Sequence, residues 1–357
     1  MAIKKNVVKV DLRSYPHYFI MGIPKVGKTT LMYELAKQEY SLDEMLLISC
    51  GNEQGFSALA DIQYEEVLKF NKKEDAEGNR GFIQVVNDVA KNYKELGIKM
   101  VVIDTLDTLY DIAIEEVMKE HLLQTGKPCK SLNDCFGGFM RGRDRLIELV
   151  TNEIHKLDRL PIAVFILGHT KFKAKKDALT GEEYEQLTNN LRSDFFAPIS
   201  NSAQMIVNIT VERNIQDGVQ IGENRYMYFQ NNGLIDCGGR FNGLPEKLEL
   251  SAENFMEAFK TGVQNSLKES DKDKIKEMQE KELEESEKVA ENMAKELEQE
   301  EKEQNKKTAK ELRDIIKNLA TTKDKKTKLL SKMKEFGKTK ITDLEIEELE
   351  AVIGELQ

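Results

Sequence analysis

The sequence predicts an α/β fold: a mostly parallel sheet with a C-terminal antiparallel hairpin, followed by a charged helical arm and a small three-helix module. Three observations predict it. From residue 18 onward, short apolar segments alternate with longer helical patterns, which is typical of parallel strands joined by helices. The tripeptide Asn231-Asn232-Gly233 separates two further strand-like segments. Composition also changes after residue 262, where Glu and Lys become dominant.

Five segments are short and apolar enough to be strands buried on both faces of such a sheet. They are Tyr18–Met21, Met45–Ser49, Met100–Asp104, Ala163–Leu167 and Met205–Ile209. Arg225–Gln230 and Leu234–Cys237 flank the Asn-Asn-Gly turn signal, so we expect them to pair as an antiparallel hairpin at the edge of the sheet. The core is predicted to cover residues 1–262.

The remainder of the chain divides into an arm and a module. Residues 263–307 are rich in Glu and Lys, and their apolar residues are too unevenly spaced for a heptad seam, which predicts a charged helical or disordered linker. Residues 308–357 contain three apolar helical faces, with capping-box spacing at Thr308 and again at Thr342. We expect a compact module of three helices there.

Composition excludes several classes of protein. A net charge of -10 argues against a surface that coats nucleic acid throughout, although it permits a local basic groove. The four cysteines show neither C-x-x-C nor zinc-site spacing, which favours buried, reduced thiols. The first ten residues lack the apolar block of a signal peptide, and the longest apolar run, Ile162–Leu167, is far shorter than the ~20 residues that span a bilayer. We therefore expect a cytoplasmic protein without membrane partners.

The segment GIPKVGKTT matches the phosphate-binding pattern G-x-x-x-x-G-K-[ST]. It comprises Gly22, Ile23, Pro24, Lys25, Val26, Gly27, Lys28, Thr29 and Thr30. An apolar strand precedes it and a helical pattern follows it, as this motif requires. Backbone N–H groups would bind the phosphates, Lys28 would reach the β- and γ-oxygens, and the Thr29 hydroxyl would bind Mg²⁺. The segment predicts a site for a nucleoside triphosphate with Mg²⁺.

Candidate catalytic carboxylates lie at or just beyond the ends of two successive predicted strands. Asp104 ends its strand and is the candidate second metal ligand, whereas Asp107 is interpreted as a helix-start residue. Many P-loop ATPases carry a catalytic Glu directly after this Asp, but Thr105 occupies that position here. Glu53, in the loop GNEQGF beyond the second strand, is the candidate base that activates water.

His169 ends the fourth strand, in the segment FILGHTK, and two interpretations are open: a structural residue, or a group that hydrogen-bonds the γ-phosphate and reports hydrolysis. A basic segment follows in a predicted loop: Lys171, Phe172, Lys173, Lys175 and Lys176. Such a loop suits a DNA backbone with one stacking ring, or it is simply solvated. A second candidate patch, alternatively ordinary surface pairs, consists of Arg141, Arg143 and Arg145 near Phe136 and Phe139.

Together these motifs resemble a known family. GIPKVGKTT, GNEQGF, VVIDTLDTLY and FILGHTK, with the segment CFGGFMRGRDRLIELV, resemble the RecA-like phage P-loop ATPases of the Sak-type single-strand annealing group, over about residues 15–260. The resemblance implies a RecA-type core that hydrolyses ATP with Mg²⁺ and binds single-stranded DNA. It also implies cooperation with a single-strand binding protein during phage recombination in a bacterial host.

Carried over residue by residue, the resemblance implies Lys28 and Thr29 as phosphate and Mg²⁺ groups, Asp104 as metal partner, Glu53 as base and His169 as sensor. Arg240 sits where related oligomeric ATPases place a residue into a neighbour's site, so we expect a homo-oligomer; the alternative for Arg240 is a local salt bridge. Lys25 is another cation within the loop that can reach phosphates.

The leading hypothesis is therefore a Mg²⁺-dependent ATPase that acts on single-stranded DNA in phage recombination or replication. Two alternatives stay open. One is a small-molecule phosphotransferase in which the cluster from Arg141 to Arg145 forms a lid over the acceptor. The other is a nucleotide-dependent scaffold whose charged arm and terminal module recruit partners.

Overall fold

The computed structural model describes residues 11–15, 17–51, 55–216, 219–267 and 275–356. The strands in this part of the chain are β1 (His17–Gly22), β2 (Met45–Cys50), β3 (Gln63–Val67), β4 (Met100–Asp104), β5 (Ala163–Lys176), β6 (Glu183–Asn189), β7 (Met205–Gln216), β8 (Val219–Tyr228), β9 (Gly238–Gly239) and β10 (Lys247–Glu249). The helices are α1 (Lys28–Glu39), α2 (Phe82–Asn92), α3 (Leu106–Thr125), α4 (Arg141–Asp158), α5 (Ser193–Ser202), α6 (Ala252–Ser266), α7 (Ile275–Leu319), α8 (Lys323–Glu335) and α9 (Ile346–Leu356).

The described strands form one mixed sheet in the order β10-β8-β7-β1-β5-β4-β2-β3. The strands from β7 to β3 in this order are mutually parallel. The strands β8 and β10 extend the sheet at one edge in antiparallel orientation, and β6 and β9 pair antiparallel with β5 and β7. The predicted fold class, a mostly parallel α/β sheet with an antiparallel hairpin, is confirmed.

The strand register brings the predicted site residues to one edge of the sheet. Gly22, the last residue of β1, is paired with His169 on β5. Ser49 on β2 is paired with Asp104, the last residue of β4. Because the strands are parallel, their carboxyl ends share this edge, which is where ligands bind in open α/β sheets.

The sequence analysis predicts the wrong partner strand for the antiparallel hairpin. The strand β8 pairs with the preceding β7 in nine register positions, from Asn208 opposite Tyr228 to Gln216 opposite Val219. The segment Leu234–Cys237 instead forms only an isolated bridge, between Ile235 and Leu187. A nine-position ladder satisfies more backbone groups than pairing with a four-residue segment would, which explains the choice of partner.

The core of the sheet is completed by α6, beyond the last strand. Tyr18 of β1 stacks on Phe165 of β5 with ring centroids 4.8 Å apart, and Phe255 and Phe259 of α6 approach Tyr18 edge-on. All four rings are buried. Aromatic pairs of this kind stabilise a fold by about 0.5–1.5 kcal/mol each beyond the area they bury.

The chain separates into two compact units, Met1–Glu291 and Asn292–Gln357. In the second unit, the end of α7 packs with α8 and α9 around buried residues that include Ile316, Met333, Leu349 and Val352. Thr308 lies inside α7, so no helix begins there. None of the helices that the structure describes is both long enough and apolar enough to cross a membrane.

Candidate nucleoside triphosphate site

The two glycines of the phosphate-binding motif allow β1 to turn directly into α1. At Gly22 a Cβ atom would lie 2.8 Å from the Ile209 carbonyl oxygen, so only glycine fits against β7. Gly27 has a φ of 110°, in the left-handed region that glycine adopts readily. The helix α1 begins at the next residue, Lys28. The N–H groups of its first turn, which have no acceptor within the helix itself, therefore lie at the carboxyl edge of the sheet, where they can bind an anion.

Lys28 is held against the loop that precedes it. Its side chain is only 6% exposed, and Nζ donates to the carbonyl oxygens of Gly22 (3.0 Å) and Ile23 (3.2 Å). A buried ammonium group beside neutral carbonyls is well placed to receive phosphate oxygens, because charge-assisted hydrogen bonds are roughly twice as strong as neutral ones.

Thr29 and Asp104, the predicted metal pair, are in contact. The Thr29 hydroxyl donates to Asp104 Oδ2 at 2.8 Å, and Asp104 is 3% exposed. Among the described residues, no group of three or more His, Cys, Asp or Glu side chains could hold a metal alone. One hydroxyl and one carboxylate suit Mg²⁺, which keeps several waters and completes its shell with nucleotide phosphates.

A cavity of about 490 Å³ opens at this point. It is lined by Pro24, Lys25, Gly27, Lys28, Thr29, Thr30, Gly55, Asp104, His169 and Arg225. Within the loop, Val26 is buried and Ile23 is exposed. Asp104 is the single carboxylate among the described lining residues, against three Lys or Arg side chains, so the cavity favours an anion.

A comparison with protein families agrees with this geometry. Residues 14–241 match the model of an AAA domain. The chain belongs to this AAA domain family. No curated protein matches the chain in a sequence comparison. The matched range contains every residue that lines the cavity, and family membership indicates that the AAA domain is a P-loop nucleotide-binding domain of ATPase type.

Within the AAA domain, Asp107 orients His169. The backbone N–H of His169 donates to Asp107 Oδ2 at 2.8 Å, and His169 Nδ1 lies 3.7 Å from the same oxygen. Asp107 is at the start of α3, as expected, but its carboxylate contacts β5. Burial, together with the nearby charge of Asp107, raises the pKa of the Asp111 carboxyl. Because Asp107 accepts from its backbone, His169 is held in place while it lines the phosphate cavity.

The basic segment after His169 is a β-hairpin, and the prediction of a loop is wrong. The strand β5 continues through Lys176 and pairs antiparallel with β6, Lys171 opposite Thr188 and Lys175 opposite Tyr184. Its side chains are mostly exposed on both faces, so the segment lacks the apolar alternation that signals a half-buried strand.

Strand alternation gives this hairpin a basic face, defined by Lys171, Lys173 and Lys175 with Tyr184 across from Lys175. Phe172, Ala174 and Lys176 lie on the opposite face. Burial and the charges of Lys171 and Lys175 lower the pKa of Lys173. A cavity of about 620 Å³ begins at Lys171 and Lys173 and extends to residues 191–194. The concentration of positive charge makes this face attractive to phosphate groups.

In the second predicted patch, formed by Arg141, Arg143 and Arg145, one arginine is already engaged in ion pairs. Arg145 is engaged by Glu120 at 2.8 Å and by Glu148 at 3.1 Å. Arg141 is exposed at the start of α4 and donates to the Phe136 carbonyl at 3.3 Å, and Arg143 is half-buried. Phe139, just before them, is 91% exposed with a φ of 52°. Holding a non-glycine residue in this conformation costs about 1–2 kcal/mol.

Of the predicted catalytic residues, Arg240 lies away from the phosphate cavity. The strand β9 pairs with the first two residues of β7, so Arg240, directly after it, lies at the amino edge of the sheet, where its guanidinium donates to the Asn201 carbonyl. Arg240 therefore does not line the cavity of its own chain, and a role in a neighbouring chain stays a prediction. Glu53 lies outside the described residues.

Arg225 is a cavity residue that lies outside every motif singled out in the sequence. The sequence predicts only a strand there, because a lone arginine between strand-forming residues carries no motif. Its position beside the phosphate loop depends on the pairing of β8 with β7 and of β7 with β1. Only the correct strand order could have revealed it.

Proposed function

We propose that this AAA domain hydrolyses ATP with Mg²⁺ and acts on single-stranded DNA in phage recombination or replication, as a homo-oligomer that cooperates with a single-strand binding protein. One observation carries the proposal: His169 in the phosphate cavity and the basic face lie on the same strand, β5. His169 and Lys171 are two residues apart, or roughly 7 Å along the strand. A change at the γ-phosphate can therefore reach the basic face through β5.

The chemistry follows from the cavity residues. Loop N–H groups and Lys28 bind the phosphates, and Lys28 exchanges its bonds with the Gly22 and Ile23 carbonyls for stronger ones with phosphate oxygens. Thr29 and Asp104 would hold Mg²⁺, which supplies charge neutralisation on the transferred phosphoryl group. Glu53 is the proposed base for the attacking water, and His169 the proposed hydrogen-bond partner of the γ-phosphate.

The DNA contact is proposed from charge and aromatic placement. A protein with a net charge of -10 needs a local concentration of cations to bind DNA, and the basic face provides one. Tyr184 on the same face supplies a ring on which a base can stack. Phe139, exposed beside Arg141 on a costly backbone conformation, is a second proposed contact.

The geometry gives less support to the phosphotransferase alternative. Arg141 and Arg145 line a cavity of about 520 Å³ together with Phe136 and acidic residues of α3 and α4. Among the described residues, none lines both this cavity and the phosphate cavity. Arg145 is also neutralised by Glu120 and Glu148. A lid over a phosphate acceptor would need free cations facing the triphosphate.

Replacing Lys171 and Lys175 together by alanine should weaken the binding of single-stranded DNA and flatten its salt dependence. Each lost phosphate contact reduces the slope of log K against log salt by ~0.7, so the slope should fall by about 1.4. The measurement is fluorescence anisotropy of a labelled oligothymidylate over a salt series. Lys176→Ala is the matched control, since Lys176 is on the same strand but on the opposite face. Equal slopes for the double variant and the wild type would contradict the proposed DNA face.

A further inference from the structure

Arg225 lies where two cavities meet. One is the phosphate cavity, and the other has a volume of about 550 Å³. Gly27, Thr30 and Arg225 line both cavities. Lys28, Thr29, Asp104 and His169 line the phosphate cavity but not the second one. The second cavity is also lined by Leu250 and by the carboxylates Glu34, Glu223 and Glu249. Arg225 thus marks the passage from the phosphate cavity into the adjoining one.

The guanidinium of Arg225 approaches the turn of the phosphate loop closely. A Cβ atom built on Gly27 would lie 3.6 Å from Arg225 Nη1 and 3.3 Å from Leu250 Cδ2. The side chain reaches this point from β8, where Arg225 is paired with Val211 of β7. The antiparallel edge of the sheet therefore places a cation directly beside the phosphate loop.

This cation has no acceptor within the part of the chain that the structure describes. Three glutamates, Glu34, Glu223 and Glu249, line the second cavity, yet none forms an ion pair with Arg225. The nearest cation partner of Glu223 is Arg213, at 4.0 Å. A guanidinium carries five N–H donors in a planar fork that fits two phosphate oxygens at once. Its position and its free donors both point to an anionic ligand.

We propose that Arg225 binds the α- and β-phosphates of the nucleotide in its own chain. The proposed Mg²⁺ pair, Thr29 and Asp104, and the proposed γ-phosphate partner His169 line only the phosphate cavity. Arg225 instead shares the passage with Gly27 and Thr30 at the start of α1. The α- and β-phosphates are the part of a nucleotide that would occupy this passage. The assignment rests on the proposed function only in requiring that the loop binds a nucleotide.

The test is a fluorescence titration with N-methylanthraniloyl-ADP and with a non-hydrolysable N-methylanthraniloyl-ATP analogue. Arg225→Ala should weaken both affinities by at least about tenfold, the usual effect of losing a charge-assisted hydrogen bond. Arg225→Lys should fall between Arg225→Ala and the wild type, because lysine keeps the charge and loses the fork. Arg213→Ala, at an exposed cation on the same hairpin, is the matched control and should stay within twofold of the wild type.

Thermal melting of each variant checks that the fold is intact. Equal affinities for Arg225→Ala and Arg213→Ala would overturn the assignment. A loss confined to the triphosphate would also overturn it, since it would place the guanidinium on the γ-phosphate. A wild-type protein that bound neither nucleotide would refute the proposed function, and the Arg225 assignment with it.

Discussion

Lys28→Ala should abolish ATP hydrolysis, with a loss of at least about 100-fold in the rate of phosphate release. The Lys28 ammonium is buried at the start of α1 and is held by two loop carbonyls beside the metal pair. Removing a preorganised cation that faces the transferred phosphoryl group typically costs about 10²–10³-fold in rate. The loss should appear in nucleotide affinity as well, because the same cation contacts the ground-state triphosphate.

Lys37→Ala is the matched control for this variant. Lys37 lies on the same helix and is half exposed, and its ammonium pairs with Glu34 at 3.6 Å and lies over the ring of Tyr33. Its removal should leave the rate within twofold of the wild type, because exposed ion pairs contribute little. Normal phosphate release by the Lys28 variant would exclude the P-loop as the hydrolytic site.

Glu53→Gln should bind ATP normally and hydrolyse it about 10²–10⁴-fold more slowly, the usual contribution of a general base. The residues that line the described cavity support this proposal. Its single described carboxylate, Asp104, accepts from Thr29 in the metal pair. Asp107 accepts from the His169 backbone, and the position after Asp104 is the buried Thr105. We therefore propose a base from another segment, and Glu53 is two residues before the lining residue Gly55 in the sequence.

Equilibrium binding and single-turnover hydrolysis should be measured on the same Glu53→Gln preparation. Glu66→Gln is the matched control: Glu66 is an exposed carboxylate on the neighbouring strand β3, opposite Ser49 of β2. Normal turnover by Glu53→Gln would show that the base assignment is wrong. Loss of ATP binding would also contradict it, because a base that acts only on water should not be needed for affinity.

The phosphate site could be predicted because its residues follow local rules. The loop motif requires glycine at Gly22 and Gly27 for reasons that depend on a few neighbouring atoms. Asp104 and His169 follow apolar strands whose burial is evident from composition, and parallel strands bring their carboxyl ends together. Local signals therefore sufficed for most of the side chains that line the phosphate cavity.

Features that depend on exposed strands could not be predicted in the same way. Only one of the five residues of β3, Val67, is buried, so this edge strand shows no apolar run. The extension of β5 has alternating lysines with little burial and resembles a solvated loop in sequence. Arg225 reaches the phosphate loop only through two successive strand pairings, which no local pattern encodes.

The most direct test of the proposed function is the ATPase rate of the wild-type protein with and without single-stranded DNA over a salt series. We predict stimulation by DNA at low salt that declines log-linearly as salt rises, because binding through phosphate contacts releases counterions. Lys28→Ala should show no hydrolysis under either condition. An ATPase rate that DNA leaves unchanged at low salt would contradict the role on single-stranded DNA, while leaving the AAA domain and its nucleotide site in place.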